Sequence, residues 1–111
     1  MKLATWNINS VRLRLPLVLH FLQEADIDVL CLQETKTEDQ YFPAAAFAEA
    51  GWQHQVFRGE KSYNGVAIIS RHVLSNSQHN DWAGKADCRH IAAVTTDGVR
   101  IDNFYVPAGG D

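Results

Sequence analysis

The sequence has little of what marks a membrane or secreted protein. Its 111 residues include only two cysteines, Cys31 and Cys88, whose wide spacing forms neither a zinc pattern nor a disulfide framework. No apolar run is long enough to cross a bilayer, and Asn7 and Asn9 interrupt the stretch where a signal peptide needs an unbroken apolar core. We therefore expect a cytoplasmic protein in a reducing compartment, with no membrane partner.

Positive charge is also scarce. The 10 lysines and arginines are outnumbered by 13 acidic residues, which disfavours a non-specific polyanion binder, because such a protein usually has a basic surface. The balance still allows a nuclease, because a bound divalent cation adds local positive charge that the residue count omits. A hydrophobic content of 46% predicts a folded chain, and we expect residues 1–111 to belong to one domain with no internal boundary.

Hydrophobic periodicity predicts an α/β fold. A first strand from Lys2 to Asn7 precedes a helix from Pro16 to about Glu24 and a second strand from Asp26 to Gln33. Strand, helix and strand at this spacing form a βαβ unit. The second strand is apolar at its centre without alternation, which is typical of a strand covered on both faces.

The later pattern predicts a mixed sheet with helices on one face. Its other face, with residues such as Val66, Ile68 and Ile101, needs a cover, and we expect a second sheet beyond Asp111 to provide it. The elements predicted after the βαβ unit are a short helix from Phe42 to before Gly51, strands at 52–57 and 65–70, a long loop at 75–87, and a hairpin of 91–95 and 99–105 around Asp97-Gly98.

Two polar side chains close the first two strands. Asn7 ends the first and Glu34 follows the second, so both reach the sheet edge where ligands of open α/β sheets collect. A glutamate at a strand end is by itself more often an exposed loop charge, but Asn7 and the nearby cation Lys36 favour a site. Mg²⁺ prefers hard oxygen ligands, usually one or two carboxylates with waters and phosphate oxygens. The pattern therefore predicts half of a divalent-cation site.

Five ordered segments resemble the exonuclease III type of apurinic/apyrimidinic endonuclease, within the endonuclease/exonuclease/phosphatase superfamily. Together they span essentially the whole sequence, which makes chance similarity a poor explanation. In chain order, the segments are Thr5-Trp6-Asn7-Ile8-Asn9-Ser10-Val11-Arg12, Leu32-Gln33-Glu34-Thr35-Lys36, Tyr63-Asn64-Gly65-Val66-Ala67-Ile68, Arg89 before Ile91, and Asn103-Phe104-Tyr105-Val106-Pro107.

The resemblance implies a fold, a reaction and partners. The fold would be the N-terminal half of a four-layered α/β sandwich. The activity would be that of a Mg²⁺-dependent DNA-repair nuclease, which cleaves 5′ to abasic sites and trims duplex DNA from 3′ to 5′. The partners would be duplex DNA with abasic sites or 3′ ends and the C-terminal half of the same fold. Mn²⁺ remains open as the metal.

The resemblance also implies residue roles. From the residues alone, the interpretation of Tyr105 as a half-buried strand tyrosine is as good as a functional one. The interpretation of Arg89 as a solvated arginine at a strand edge is at least as good. Carried over position by position, the catalytic residues would be Glu34, Asn7 and Tyr105, the metal ligands Glu34 and Asn7, and the DNA-binding residues Arg12, Tyr63 and Arg89.

Several later motifs of the family have no counterpart in the sequence. These are a Gly-Asp-x-Asn motif, a further metal-linked aspartate and a Ser-Asp-His motif, which would supply the water-activating base and a phosphate-polarising histidine. We therefore expect the 111 residues alone to be catalytically inactive. Another phosphodiesterase or phosphatase of the superfamily and a non-catalytic α/β binding or assembly domain remain as alternatives. A nucleotide-binding fold is disfavoured because no glycine-rich turn follows the first strand.

Overall fold

A computed structural model describes residues 1–79 and 88–106. Residues 80–87 of the predicted loop, with Pro107 and Asp111, lie outside this description. The described elements are β1 (Leu3–Asn7), α1 (Leu15–Glu24), β2 (Val29–Gln33), a 3₁₀ helix (Asp39–Tyr41), α2 (Ala44–Glu49), β3 (His54–Glu60), β4 (Tyr63–Ser70), β5 (Leu74–Gln78), β6 (His90–Thr95) and β7 (Arg100–Phe104).

The first sheet is mixed and has helices on one face, as predicted. Its strand order is β1-β2-β4-β3, with β1 parallel to β2 and β4 antiparallel to both of its neighbours. Val18 and Leu22 of α1 and Phe47 of α2 are buried against this sheet. No helix in the described ranges is long and apolar enough to cross a membrane, and the longest, α1, has 10 residues.

A second sheet covers the other face, and here the sequence-based expectation was wrong. β5, β6 and β7 form an antiparallel sheet within this chain, so the cover begins well before Asp111. Ile101 belongs to the covering sheet and packs with Val66 and Ile68 of the first sheet in one buried cluster. An alternating apolar pattern shows which side of a strand is buried but not which sheet contains the strand.

The predicted long loop also contains a strand. β5 (Leu74–Gln78) overlaps residues 75–78 of the predicted loop, and four of its five residues are exposed. It pairs with β6 across an irregular register. The hairpin around Asp97-Gly98 is confirmed, because β6 and β7 pair antiparallel on either side of it and Gly98 adopts a φ of +82°.

A buried amide connects the two sheets. Asn103 of β7 is 2% exposed, and its Nδ2 donates hydrogen bonds of 2.8 Å to the carbonyl oxygens of Leu32 and Ala67. Its Oδ1 accepts a bond of 2.7 Å from Nε2 of Gln33, the last residue of β2. One side chain of the second sheet therefore bonds to both central strands of the first.

The opposite end of the first sheet is held by charge. Asp28, just before β2, accepts hydrogen bonds from the backbone N–H of Lys2 at 2.6 Å and from the Arg71 guanidinium at 2.7 Å. These two bonds lower the pKa of Asp28 from its ordinary 3.8 to about 2. The carboxylate thus joins the starts of β1 and β2 to the end of β4.

We expect Asn103→Ala to lower the free energy of unfolding by about 2–4 kcal/mol, because it removes three hydrogen bonds and leaves buried polar groups unsatisfied. Urea denaturation followed by far-UV circular dichroism measures this change. The exposed Gln23→Ala in α1 is the matched control and should change stability by less than about 0.5 kcal/mol. A similar small loss for Asn103→Ala would show that this amide does not hold the sheets together.

Candidate active site

Asn7 and Glu34 meet at the end of the two parallel strands. Asn7 lies opposite Gln33 in the β1–β2 register, and Glu34 follows directly. The Nδ2 of Asn7 donates a 2.8 Å hydrogen bond to Oε1 of Glu34, whose side chain is 23% exposed. The predicted convergence of these side chains at one sheet edge is therefore observed.

The backbone around Glu34 is held in an uncommon conformation. Glu34 has a φ of +54° and Lys36 a φ of +53°, in the left-handed region that side chains rarely adopt. Two hydrogen bonds from the β1–α1 loop fix this segment, from the N–H of Ser10 to Glu34 O at 2.8 Å and from the N–H of Val11 to Thr35 O at 3.1 Å. Such local strain persists only where the surrounding contacts specify it, and it is frequent at functional sites.

The segment that follows Glu34 also packs closely on β4. The N–H of Thr35 bonds to the carbonyl of Gly65 at 3.2 Å, and Thr35 is 2% exposed. Gly65 has a φ of +93°, and a Cβ atom there would lie 2.1 Å from Oγ1 of Thr35. Only glycine allows β4 to approach the Glu34 segment this closely.

The donor set suits a hard divalent cation. Glu34 offers a carboxylate, and Asn7, which donates through Nδ2, retains its amide oxygen as a ligand. Lys36 Nζ lies 3.6 Å from Oε2 of Glu34 and 2.5 Å from Oδ1 of Asn9, so it links the two loops beside the carboxylate. No group of three or more histidine, cysteine or acidic side chains within residues 1–79 and 88–106 is arranged to hold a metal. Glu34 and Asn7 fit a hard divalent cation whose other ligands would be waters and phosphate oxygens.

Tyr105 and Arg89 are adjacent at the end of the second sheet, directly after β7 and directly before β6. The N–H of Tyr105 bonds to the carbonyl of Arg89 at 2.8 Å, and Tyr105 packs at the margin of the cluster between the sheets. Gln33 and Asn103 bond to each other, and Glu34 and Tyr105 follow them by one and two residues. Tyr105 therefore lies at the same end of the molecule as Glu34.

Arg12 and Tyr63 occupy the outer part of this edge. Arg12 lies in the β1–α1 loop, and its Cζ is 5.5 Å from the centre of the Tyr41 ring. Tyr63 begins β4 and is 70% exposed. In the described contacts, neither side chain touches Glu34, whereas Asn7 does so directly.

Gln33 and Asn103 lie behind the site, and the sequence analysis predicted no role for either of them. Gln33 donates from Nε2 to Oγ1 of Thr5 at 2.8 Å as well as to Asn103, and thereby joins β1, β2 and β7 next to Glu34. The sequence did contain one signal, because Gln33 and Asn103 each lie in an apolar strand and a buried amide needs hydrogen-bond partners. Nothing in the sequence indicated that the two amides would bond to each other.

Comparison with known proteins identifies the family. The model of the Endonuclease/Exonuclease/phosphatase family matches residues 4–110. The chain belongs to this family. An exodeoxyribonuclease of Bacillus subtilis is 38% identical over 74 residues, which are 64% of this chain and 28% of that protein. The predicted resemblance to nucleases of this superfamily is confirmed.

Two solved structures of the family have closely similar folds. A 3′ phosphatase from Neisseria, bound to a product DNA hairpin, superposes with a TM-score of 0.88 and 45% identity over 95% of this chain and 41% of its own. An AP endonuclease from Archaeoglobus fulgidus gives a TM-score of 0.89 and 42% identity over 98% of this chain and 42% of its own. This family member therefore spans about two fifths of each of these proteins, and its α/β fold is the N-terminal portion of theirs.

We expect Gly65→Ala to destabilise the protein by about 2–4 kcal/mol, because the new methyl group meets Thr35 and the backbone φ is strained. Gly98→Ala is the matched control, because Gly98 also has a positive φ but no atom lies within 4 Å of its added Cβ. It should cost only about 1 kcal/mol. Urea unfolding of both variants measures the difference, and equal losses would show that the approach to Thr35 is unimportant.

Proposed function

We propose that this chain provides the metal- and phosphate-holding part of the active site of a Mg²⁺-dependent DNA-repair nuclease of the exonuclease III type. The observation that supports this most directly is the Asn7–Glu34 pair at the shared end of β1 and β2. The substrate is duplex DNA, cleaved 5′ to an abasic site and trimmed from 3′ ends. The names of the relatives, an exodeoxyribonuclease and an AP endonuclease, and the DNA bound to the Neisseria structure support this choice.

The proposed metal ligands are Glu34 and Asn7. Together they would hold a divalent cation, which would supply positive charge to offset that of the phosphate and the leaving oxyanion. Mn²⁺ would satisfy the same oxygen ligands as Mg²⁺. Tyr105 positions the scissile phosphate through its hydroxyl group. Arg12, Tyr63 and Arg89 contact the DNA around it.

The chain does not supply every group that the reaction needs. Its 111 residues contain no Gly-Asp-x-Asn and no Ser-Asp-His motif, which in the family resemblance provide the general base and the histidine. Loss of a general base alone typically reduces the rate by about 10²- to 10⁴-fold. We therefore infer that these residues are inactive alone and act with the C-terminal half of the same fold. They form one domain unit of a cytoplasmic protein, and the buried Cys31, which forms no disulfide, suits a reducing compartment.

Removal of a 3′-terminal phosphate is a second candidate reaction. It is favoured by the Neisseria structure, which is named as a 3′ phosphatase and is 45% identical to this chain. Both reactions transfer a phosphoryl group to water, so the Asn7–Glu34 pair suits either. Competition between an abasic duplex and a duplex with a 3′-phosphate for binding to the chain would distinguish them, because the preferred substrate displaces the other.

Metal binding tests the proposed ligands. We expect Glu34→Gln to weaken Mg²⁺ and Mn²⁺ binding about tenfold or more, because it removes the only charged ligand in the proposed pair. Asn7→Asp adds a second carboxylate and should strengthen binding. Isothermal titration calorimetry measures both changes, with the exposed Glu49→Gln as a control that should bind like the wild type. Unchanged affinity in Glu34→Gln would place the metal elsewhere.

Activity tests the inferred incompleteness. The 111-residue chain, checked by intact mass, should produce no Mg²⁺-dependent nick in a duplex with one abasic site. If the chain does nick this duplex and Glu34→Ala abolishes the nicking, the water-activating base must come from within these residues or from a partner chain. A contaminating nuclease would instead nick equally in both preparations.

A further inference from the structure

Arg12 rests on an aromatic ring that the proposed cleavage reaction does not use. Its guanidinium carbon lies 5.5 Å from the centre of the Tyr41 ring, within the range of a cation–π contact. Tyr41 is 54% exposed and ends the 3₁₀ helix. We propose that Tyr41 is a positioning residue that holds Arg12 in place for a phosphate of the DNA backbone. This inference rests on the proposed function, which makes DNA the substrate.

Arg12 extends from a fixed point of the backbone. The preceding residue, Val11, is fully buried, and its N–H bonds to the carbonyl of Thr35 at 3.1 Å. Nearby, Oγ of Ser10 accepts a hydrogen bond from the N–H of Leu13 at 3.3 Å. The β1–α1 loop is therefore anchored on both sides of Arg12, and the direction in which its side chain leaves the surface is set.

Tyr41 is anchored as firmly. The next residue, Phe42, is 8% exposed and stacks on Phe57 of β3 with ring centres 4.1 Å apart. Asp39, at the start of the 3₁₀ helix, accepts a 2.8 Å hydrogen bond through Oδ1 from the N–H of Gly59 in β3. The two loops thus present Arg12 and Tyr41 to each other from independently fixed backbones.

The geometry of the contact leaves Arg12 able to bind an anion. A guanidinium has five N–H donors in one plane, so a contact with a single aromatic ring leaves several of them available. The same in-plane N–H groups can form paired hydrogen bonds with two phosphate oxygens. The contact with Tyr41 therefore restricts the movement of Arg12 and still leaves it donors for a phosphate.

The surrounding cavity has the charge that a phosphate requires. Its volume is about 330 Å³, and its lining includes Arg12, Tyr41, Lys36 and Lys61, while Glu38 contributes one carboxylate. Three cations against one anion leave a local positive excess on a chain whose formal net charge is −3. This positive excess favours the binding of a phosphate in the cavity.

The first measurement follows Arg12 itself by NMR of the ¹⁵N-labelled chain. In the wild type, the Nε–H resonance of Arg12 should be displaced by the ring current of Tyr41. Tyr41→Leu should abolish this displacement, whereas Tyr41→Phe, which retains the ring, should preserve it. An Arg12 resonance that is the same in Tyr41→Leu and the wild type would overturn the positioning role, whether or not the chain binds DNA.

The second measurement is DNA affinity, determined by fluorescence anisotropy with a labelled abasic duplex. Tyr41→Leu should weaken binding about two- to fivefold, the usual worth of an exposed cation–π contact, and Tyr41→Phe should have little effect. Arg12→Ala should lower the slope of log affinity against log salt concentration by about 1, as expected for one lost phosphate contact. In the Arg12→Ala background, Tyr41→Leu should cause no further loss.

The outcomes separate this inference from the proposed function. Equal losses from Tyr41→Leu with and without Arg12 would mean that Tyr41 contacts DNA directly, which would overturn the inference and leave DNA binding intact. A wild-type chain that binds no duplex would contradict both the DNA substrate and the phosphate role. Inorganic phosphate that shifts the Arg12 resonance as strongly as DNA, at equal phosphate concentration, would show a site for free phosphate and overturn the DNA assignment. Urea midpoints equal to that of the wild type confirm that the variants are folded.

Discussion

The amide of Asn103 sets the distance between the two sheets at the end where the candidate site lies. It bonds to the carbonyls of β2 and β4 and to the side chain of Gln33, which immediately precedes Glu34. Tyr105 follows two residues later on the other sheet. The proposed metal ligand Glu34 and the proposed phosphate-positioning Tyr105 are therefore both held in place by one buried hydrogen-bonded group. Its hydrogen bonds are strong because water is excluded from them.

The two ends of the first sheet are held in different ways. At one end, Asp28 is charged and bonded to Lys2 and Arg71, which fixes the strands by electrostatics. At the other end, amides and backbone bonds fix the strands, and Glu34 is left partly exposed beside Lys36. Because the supporting side chains of Gln33 and Asn103 are neutral amides, they do not compete with Glu34 for a cation.

The sequence predicted the helices and strands that show a clear local period, and the order of the first three elements then predicted which strand ends meet. The meeting of Asn7 and Glu34 was predictable because parallel strands deliver their ends to one edge. The cover over Val66 and Ile68 was not, because periodicity specifies a buried face but not the strand that buries it. The contact of Arg12 with Tyr41 was also unpredictable. The two residues lie in segments distant in the chain, and backbone hydrogen bonds that the sequence does not reveal hold these segments in place.

β5 has a further consequence for how the molecule meets other chains. It lies at an edge of the second sheet in the described order, and its sequence Leu-Ser-Asn-Ser-Gln is largely polar and exposed. An apolar, regular edge strand invites a strand of another molecule to pair with it, whereas polar side chains and an irregular register discourage such pairing. The polar composition that made β5 look like a loop thus also disfavours self-association at this edge. The same residues make the strand difficult to recognise in the sequence.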